Sequence, residues 1–215
     1  MPFYAVAKGK TTGIFTTWDA CKQQTIGFKG AIYKKFETKE QAEKFIEKNT
    51  IDETSTATPV DYYVYTDGAC SKNGKLNAAA GIGIFFGQND PRNVSKRIAG
   101  KQTNNTAELS AVVEAYNIIE EDISAGKQIV IVTDSIYAIR CATTYGEKMK
   151  LSGYKNAKGE PIPNRELVKK AHELYENKDN VRFLHCLAHT LKKDAHSIGN
   201  KWADKLATDA TRISS

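Results

Sequence analysis

Apolar runs and their spacing divide the 215-residue chain into two stretches of unequal length. In the first, FYAVA at 3–7 and GIF at 13–15 read as strands, with a turn at Lys8-Gly9-Lys10 between them. Residues 18–24 have helical spacing, with Thr17 or Asp19 near the start. AIYKKF at 31–36 alternates as a third strand would. Residues 38–49 form a short helix that Thr38 can N-cap, that Glu40, Glu43 and Glu47 favour toward its start, and that Ala42, Phe45 and Ile46 give an apolar face. The pattern predicts a small ββαβα unit over residues 1–48. Residues 49–59, NTIDETSTATP, are polar, Thr-rich and end in proline. Such a linker has a coil reach on the order of 20 Å, which holds the two halves close while letting them move.

From residue 61 to 215 the pattern changes. Three strand-like runs come first, at 62–66, 79–86 and 94–99. A long helical segment covers 105–121, and QIVIVT at 128–133 is an apolar run of the buried-strand type. Helices from Ser135 and over 164–177, a strand at 181–186 and a last helix from Gly199 complete it. Strands first, then helix and strand in alternation, predict an α/β domain with a mixed sheet flanked by helices.

Composition narrows the class. Apolar residues at 40% and charged residues at 26% are globular values, and the net charge of +6 is a mild basic bias compatible with a polyanionic partner. Cys21, Cys70, Cys141 and Cys186 are far apart and form no C-x-x-C pair, which argues against a zinc cluster and a disulfide framework and for a reducing compartment. No run is long enough to span a membrane, and no signal peptide or basic amphipathic leader precedes Phe3, so a cytoplasmic location is expected with a nuclear one open.

Charge also marks the first unit, where nine lysines face five acids over residues 1–48. Tyr33 stands beside Lys34-Lys35, and aromatic faces interleaved with lysines can hold nucleic acid, rings against sugars or bases and ammonium groups against phosphate. Tyr4, Trp18 and Tyr33 could equally fill a small core.

In the second stretch four acids draw notice. Asp67 ends the run YYVYTDG, Asp134 follows the buried strand in TDS, Glu108 lies in NNTAE and Asp204 in GNKWAD. Each has an ordinary explanation: an Asp-Gly turn, an N-cap, a first-turn acid and a solvent-facing acid between Lys201 and Lys205. If the strands before Asp67 and Asp134 are parallel neighbours, however, the two carboxylates meet at one sheet edge. Carboxylates gathered in that way call for a divalent cation.

Two resemblances follow. FYAV, GIF, W, C, Q, GF, A-x-YKKF and A-x-x-F, in that order over residues 3–46, resemble the hybrid-binding module found ahead of type 1 ribonucleases H and in caulimovirus viroplasmin. This implies binding of an RNA/DNA duplex through its minor groove, with Trp18 and Tyr33 as an aromatic pair on the DNA strand and Tyr4, Lys34 and Lys35 in support. Tyr33 stands where a phenylalanine is often found, and stacking survives that change. TDG, NN-x-AE, TDS and GN-x-x-AD over residues 61–211 resemble the catalytic domain of type 1 ribonuclease H. The implied fold is its five-stranded mixed sheet flanked by helices.

The implied activity is endonucleolytic hydrolysis of the RNA strand of RNA/DNA hybrids, leaving 5′-phosphate and 3′-hydroxyl ends. Asp67, Glu108, Asp134 and Asp204 would hold two Mg²⁺ ions, for which Mn²⁺ can substitute. The resemblance assigns Asn73, Asn104 and Asn105 to reading 2′-hydroxyls, and Lys101, Thr103 and Asn164 to a DNA-strand phosphate. It implies a monomer, with weak self-association through the first unit left open, and no membrane partner.

The chain departs from the pattern in two places. The family's mobile catalytic histidine is assigned to His189, with His196 as the alternative and His185 as a structural residue. Where many members offer tryptophans on a basic protrusion, this chain has Tyr145, Met149 and Tyr154 among Lys148, Lys150 and Lys155. Two rival readings remain, a transposase-like relative and a hybrid-binding protein with a silent nuclease domain. The first module and QTNNTAE oppose the former, and the complete carboxylate set opposes the latter.

Overall fold

The computed structural model describes residues 2–28, 30–49, 59–186 and 194–212. Two compact units are resolved, Met1–Ala57 and Thr58–Ser215. The proposed linker at 49–60 lies almost entirely outside the described residues, as does His189.

The first unit runs β1 (Phe3–Lys8), β2 (Gly13–Phe15), α1 (Trp18–Thr25), β3 (Ile32–Phe36) and α2 (Lys39–Asn49). Its antiparallel sheet has the order β2-β1-β3. Thr17 rather than Asp19 caps α1, its hydroxyl accepting from the Ala20 amide. Thr38 Oγ1 accepts from the Gln41 amide and starts α2. Ala5, Val6, Cys21 and Ala42 are fully buried at the centre.

The second unit runs β4 (Tyr62–Ser71), β5 (Ala79–Phe85), β6 (Val94–Arg97), α3 (Asn104–Ser124), β7 (Ile129–Thr133), α4 (Ile136–Ala142), α5 (Thr144–Leu151), α6 (Arg165–Tyr175), β8 (Val181–His185) and α7 (Ala195–Ala210). The sheet order β6-β5-β4-β7-β8 is mixed, with β4, β7 and β8 parallel and β5 and β6 antiparallel. This is the five-stranded mixed sheet the sequence predicts. On one face Val64, Ile84 and Ile131 pack with Leu109, Val112 and Ile119 of α3 and with Val168 and Ala171 of α6. On the other face Tyr65, Phe85 and Val132 pack with Ala203 of α7.

Three readings need correction. Asp67-Gly68 is not a turn, because β4 continues to Ser71 and Asp67 pairs with Gly83 across the ladder. The chain reverses later, where Lys72 and Gly74 take left-handed backbone angles. The last helix starts four residues earlier than expected, since Asp194 caps it by accepting from the Ser197 amide. Tyr145, Met149 and Tyr154 are not offered on a protrusion. All three pack against the main core, and Tyr154 is buried with its hydroxyl 3.4 Å from His172 Nδ1. Their apolar area is worth more under α6 than in water.

Candidate active site

Strand register brings the first two acids together. β4 and β7 run parallel up to the pair Tyr65↔Val132, and two residues further along each chain stand Asp67 and Asp134. Side chains two apart share a sheet face, so Asp67 follows Tyr65 onto the face that α7 covers, and Asp134, in the bend that ends β7, joins it at the same cavity. Asp204 arrives on that helix. Glu108 comes from α3 on the other side, at the same end of β4.

Both helix-borne acids depend on glycines. A Cβ on Gly68 would lie 2.1 Å from the Glu108 backbone nitrogen, so only glycine lets α3 rest its first turns against β4. A Cβ on Gly83 would lie 2.0 Å from the Ala203 carbonyl oxygen and 2.5 Å from the Ala207 nitrogen, which leaves α7 equally close to β5. These backbone approaches fix where Glu108 and Asp204 reach the sheet edge.

The result is a cavity of about 430 Å³ lined by Asp67, Gly68, Ala69, Cys70, Asn104, Glu108, Asp134 and Asp204. No lysine or arginine among the described residues lines it. Asp67 is 7% exposed and accepts a 2.7 Å hydrogen bond from the Gly68 amide. Burial first, then the charge of Asp134, pushes its carboxyl up to about 8, with Asp204 and Glu108 adding to the rise. Glu108 also titrates above its ordinary value, chiefly because it is buried. Asn104 Nδ2 donates to one of its oxygens at 2.9 Å and Ser135 Oγ to the other at 2.5 Å. Ser135, not Asp134, is the N-cap of α4, its oxygen accepting from the Ala138 amide. Asp134 is thereby left to the cavity, with Asn200 Nδ2 donating to its Oδ2 at 3.3 Å.

Among the described residues no three Asp, Glu, His or Cys side chains converge on a single point as one ion would require. The donor set nevertheless suits divalent cations. Four carboxylates around one cavity supply hard oxygen ligands, and the burial and mutual repulsion that raise Asp67 and Glu108 are what an Mg²⁺ or Mn²⁺ charge offsets.

The other sequence-nominated residues fall into separate groups. Asn104 lines the cavity, Asn105 is exposed on the first turn of α3, and Asn73 is exposed in the loop after β4. Lys101 Nζ lies 3.5 Å from Asn164 Oδ1, and Asn164 Nδ2 donates to the Tyr137 hydroxyl at 3.1 Å. Asn164 sits in the left-handed region with φ 54°, a conformation that asparagine tolerates. Thr103 caps α3, its hydroxyl accepting from the Thr106 amide. His185 Nε2 meets the Asp134 carbonyl at 3.1 Å. His196 stands against Tyr63, ring centroids 4.8 Å apart, and 3.3 Å from the Tyr65 hydroxyl, and it does not line the cavity.

In the first unit Trp18 lies 5.8 Å from both Tyr4 and Tyr33, ring to ring, and Trp18 and Tyr33 are 44% and 45% exposed. This is an open aromatic shelf rather than a core. Lys35 pairs with Tyr4 across the sheet, whereas Lys34 takes the opposite face, its ammonium 5.6 Å from the Phe36 ring centre. Reasoning from sequence overlooked Ser135, Asn200 and Gly83. Ser135 and Asn200 are visible in the motifs TDS and GN-x-x-AD, but nothing local says that Gly83 faces a helix.

Comparison with known proteins agrees with both units. The model of the RNase H family matches residues 59–212, and that of the ribonuclease H1 N-terminal domain matches residues 2–46. Ribonuclease H of Schizosaccharomyces pombe is 31% identical, the alignment covering 95% of each chain. Ribonuclease H1 of Homo sapiens is 29% identical over 99% of this chain and 90% of its own. Among solved structures, the PFV RNase H domain superposes with a TM-score of 0.54 at 26% identity, covering 70% of this chain and 93% of that one. A foamy viral protease-reverse transcriptase solved with dsDNA gives 0.57 at 25% identity over 73% of this chain. With both units matched in order and four carboxylates gathered at the edge of the expected sheet, the chain belongs to the ribonuclease H family.

Proposed function

We propose that this ribonuclease H cuts the RNA strand of RNA/DNA hybrids by in-line hydrolysis, with Asp67, Glu108, Asp134 and Asp204 as the ligands of two Mg²⁺ ions. The observation that carries this reading is the shared cavity of four carboxylates in which Asp67 titrates near 8. Bound there, two divalent cations would supply an activated water and a stabilised leaving 3′-oxygen, which leaves 5′-phosphate and 3′-hydroxyl ends. The protein's own part is placement. Asp67 stands within β4 and Asp134 in the bend directly after β7, while Asn104 and Ser135 hold the Glu108 carboxylate from both sides. Asp67 must release its proton when a cation takes the site, so binding is coupled to pH.

Selection of the hybrid follows from the flanking groups. Asn73, Asn104 and Asn105 carry amides, which donate and accept without charge and so suit 2′-hydroxyls in a minor groove. Lys101 with Asn164 offers a cation and an amide to a phosphate of the DNA strand. In the first unit the Tyr4-Trp18-Tyr33 shelf, with Lys35 beside it, would hold the DNA strand and keep substrate near the nuclease unit.

One assay tests the reading: incubation with Mg²⁺ and end-labelled RNA/DNA, RNA/RNA and DNA/DNA duplexes. The expected result is cleavage of RNA in the hybrid alone, with products that a polymerase can extend. Asp134→Asn should abolish cleavage and spare hybrid binding, and retained cleavage would refute the ligand role. Cutting of DNA/DNA would favour a transposase-like enzyme, and binding without cutting a silent nuclease domain.

A further inference from the structure

The motif GN-x-x-AD contains two residues that the carboxylate set leaves unused, Gly199 and Asn200. Both lie in the first turns of α7, which β4 anchors tightly. A Cβ on Gly199 would fall 2.4 Å from the ring of Tyr65, so the helix rests directly on that ring. The Tyr65 hydroxyl meets His196 Nδ1 at 3.3 Å, and Tyr63 packs edge-on against the same imidazole. The start of α7 is therefore pinned to the strand that carries Asp67, only two residues ahead of it.

From this anchored turn Asn200 projects inward and is 4% exposed. Its Nδ2 donates to Asp134 Oδ2, while its Oδ1 is buried with no hydrogen-bond partner among the described residues. A buried carbonyl oxygen without a donor costs stability, and an apolar side chain of similar size would avoid that cost. The amide's return lies in its other half. Turned the opposite way, it would set its oxygen against the Asp134 carboxylate, so the charge of Asp134 selects the orientation in which the donor faces it.

We propose that Asn200 is a positioning residue: by holding Asp134 Oδ2 it fixes the carboxylate's rotation and presents the other oxygen to the cavity for a divalent cation. The inference rests on Asp134 being a cation ligand. Groups that orient a metal's ligands typically change metal affinity about 10- to 100-fold when removed.

The test is Asn200→Leu, which keeps the branched skeleton, at a somewhat larger volume, and deletes the donor, studied in the full chain. Calorimetry with Mn²⁺ alone should show binding weakened about tenfold or more, and kcat on a hybrid should fall with KM unchanged. The melting temperature in chelator should hold or rise, because the orphaned oxygen is gone. A folded variant that binds Mn²⁺ within about twofold of the parent overturns the proposal. So does a lower melting temperature with unchanged Mn²⁺ affinity, the result expected of a purely structural asparagine. Should the leucine variant not fold, Asn200→Ala, which cannot overfill the site, is judged by the same affinities. Asp134→Asn is measured alongside. If it loses Mn²⁺ while the Asn200 variant does not, the positioning role alone fails; if it too keeps Mn²⁺, the ligand assignment fails with it.

Discussion

Replacing Asp67 by Asn should stabilise the metal-free protein, increasingly as pH rises. The variant keeps the side chain's shape and the acceptor for the Gly68 amide, and it removes the charge. In the folded protein the Asp67 carboxyl titrates at about 8 against an ordinary 3.8. Between those values the folded state retains a proton that the unfolded chain has released. Stability from this group is thus complete below about pH 4 and drains away as pH rises toward 8. At about 1.4 kcal/mol per tenfold in proton concentration, the carboxyl costs on the order of 2 kcal/mol at pH 5 and 5 kcal/mol at pH 8, relative to a neutral group. The advantage of Asp67→Asn should therefore grow by about 3 kcal/mol between the two, or roughly 6–12 °C in melting temperature for a domain of this size. Thermal unfolding of both proteins in chelator, at pH 5 and pH 8, reads this directly. With Mg²⁺ at pH 8 the parent should regain stability and the variant should gain little, while losing all cleavage. A difference in melting temperature that stays constant with pH would refute the claim that burial and neighbouring carboxylates hold Asp67 protonated.

Other outcomes follow from packing and from the aromatic shelf. Gly83→Ala places a methyl group 2.0 Å from the Ala203 carbonyl; it should cost about 1–3 kcal/mol in denaturant unfolding and lower kcat through a displaced Asp204. Trp18→Ala should raise KM on long hybrids roughly 5- to 150-fold with kcat unchanged, since a stacked base is worth about 1–3 kcal/mol. Removing residues 1–50 should likewise raise KM and shorten processive runs on long hybrids, and unchanged kinetics would dismiss the first unit as a substrate anchor.

The order of elements was legible because local signals and tertiary structure agree along most of the chain. QIVIVT could be read as a buried strand, and it occupies the inside of the sheet as β7. The four acids stood out through the motifs around them rather than through any one residue. Asp67-Gly68 misled because the same dipeptide serves two purposes. Glycine relaxes a turn, but here it removes a side chain so that α3 can touch β4, and only the position of Glu108's backbone discloses this. Likewise Tyr145, Met149 and Tyr154 lie in a lysine-rich stretch that reads as surface until α6 is seen covering them. Lys150 belongs to the same misreading: it is committed to Glu176 at 2.8 Å.

These cases point to one physical arrangement. Burying four carboxylates around a cavity that no lysine or arginine among the described residues lines works against folding, and Asp67, raised by burial first and by its neighbours second, reflects that opposition. Among the described residues no ion pair at the site meets it. It is met from behind, where Gly68 and Gly83 admit helix backbones to within direct contact of the sheet, and where apolar packing of Leu109, Val112 and Ala203 on the two faces holds those helices down. The acids are thus held together by backbone contacts and apolar packing. Changes at either glycine should therefore reduce cleavage and at the same time lessen the pH sensitivity of the metal-free protein, because a loosened site admits water to the buried Asp67 and lets the neighbouring acids drift away from it. A Gly83→Ala variant that lost activity yet kept the parent's full pH-dependent loss of stability would show that the acids are held in place by something other than these backbone contacts.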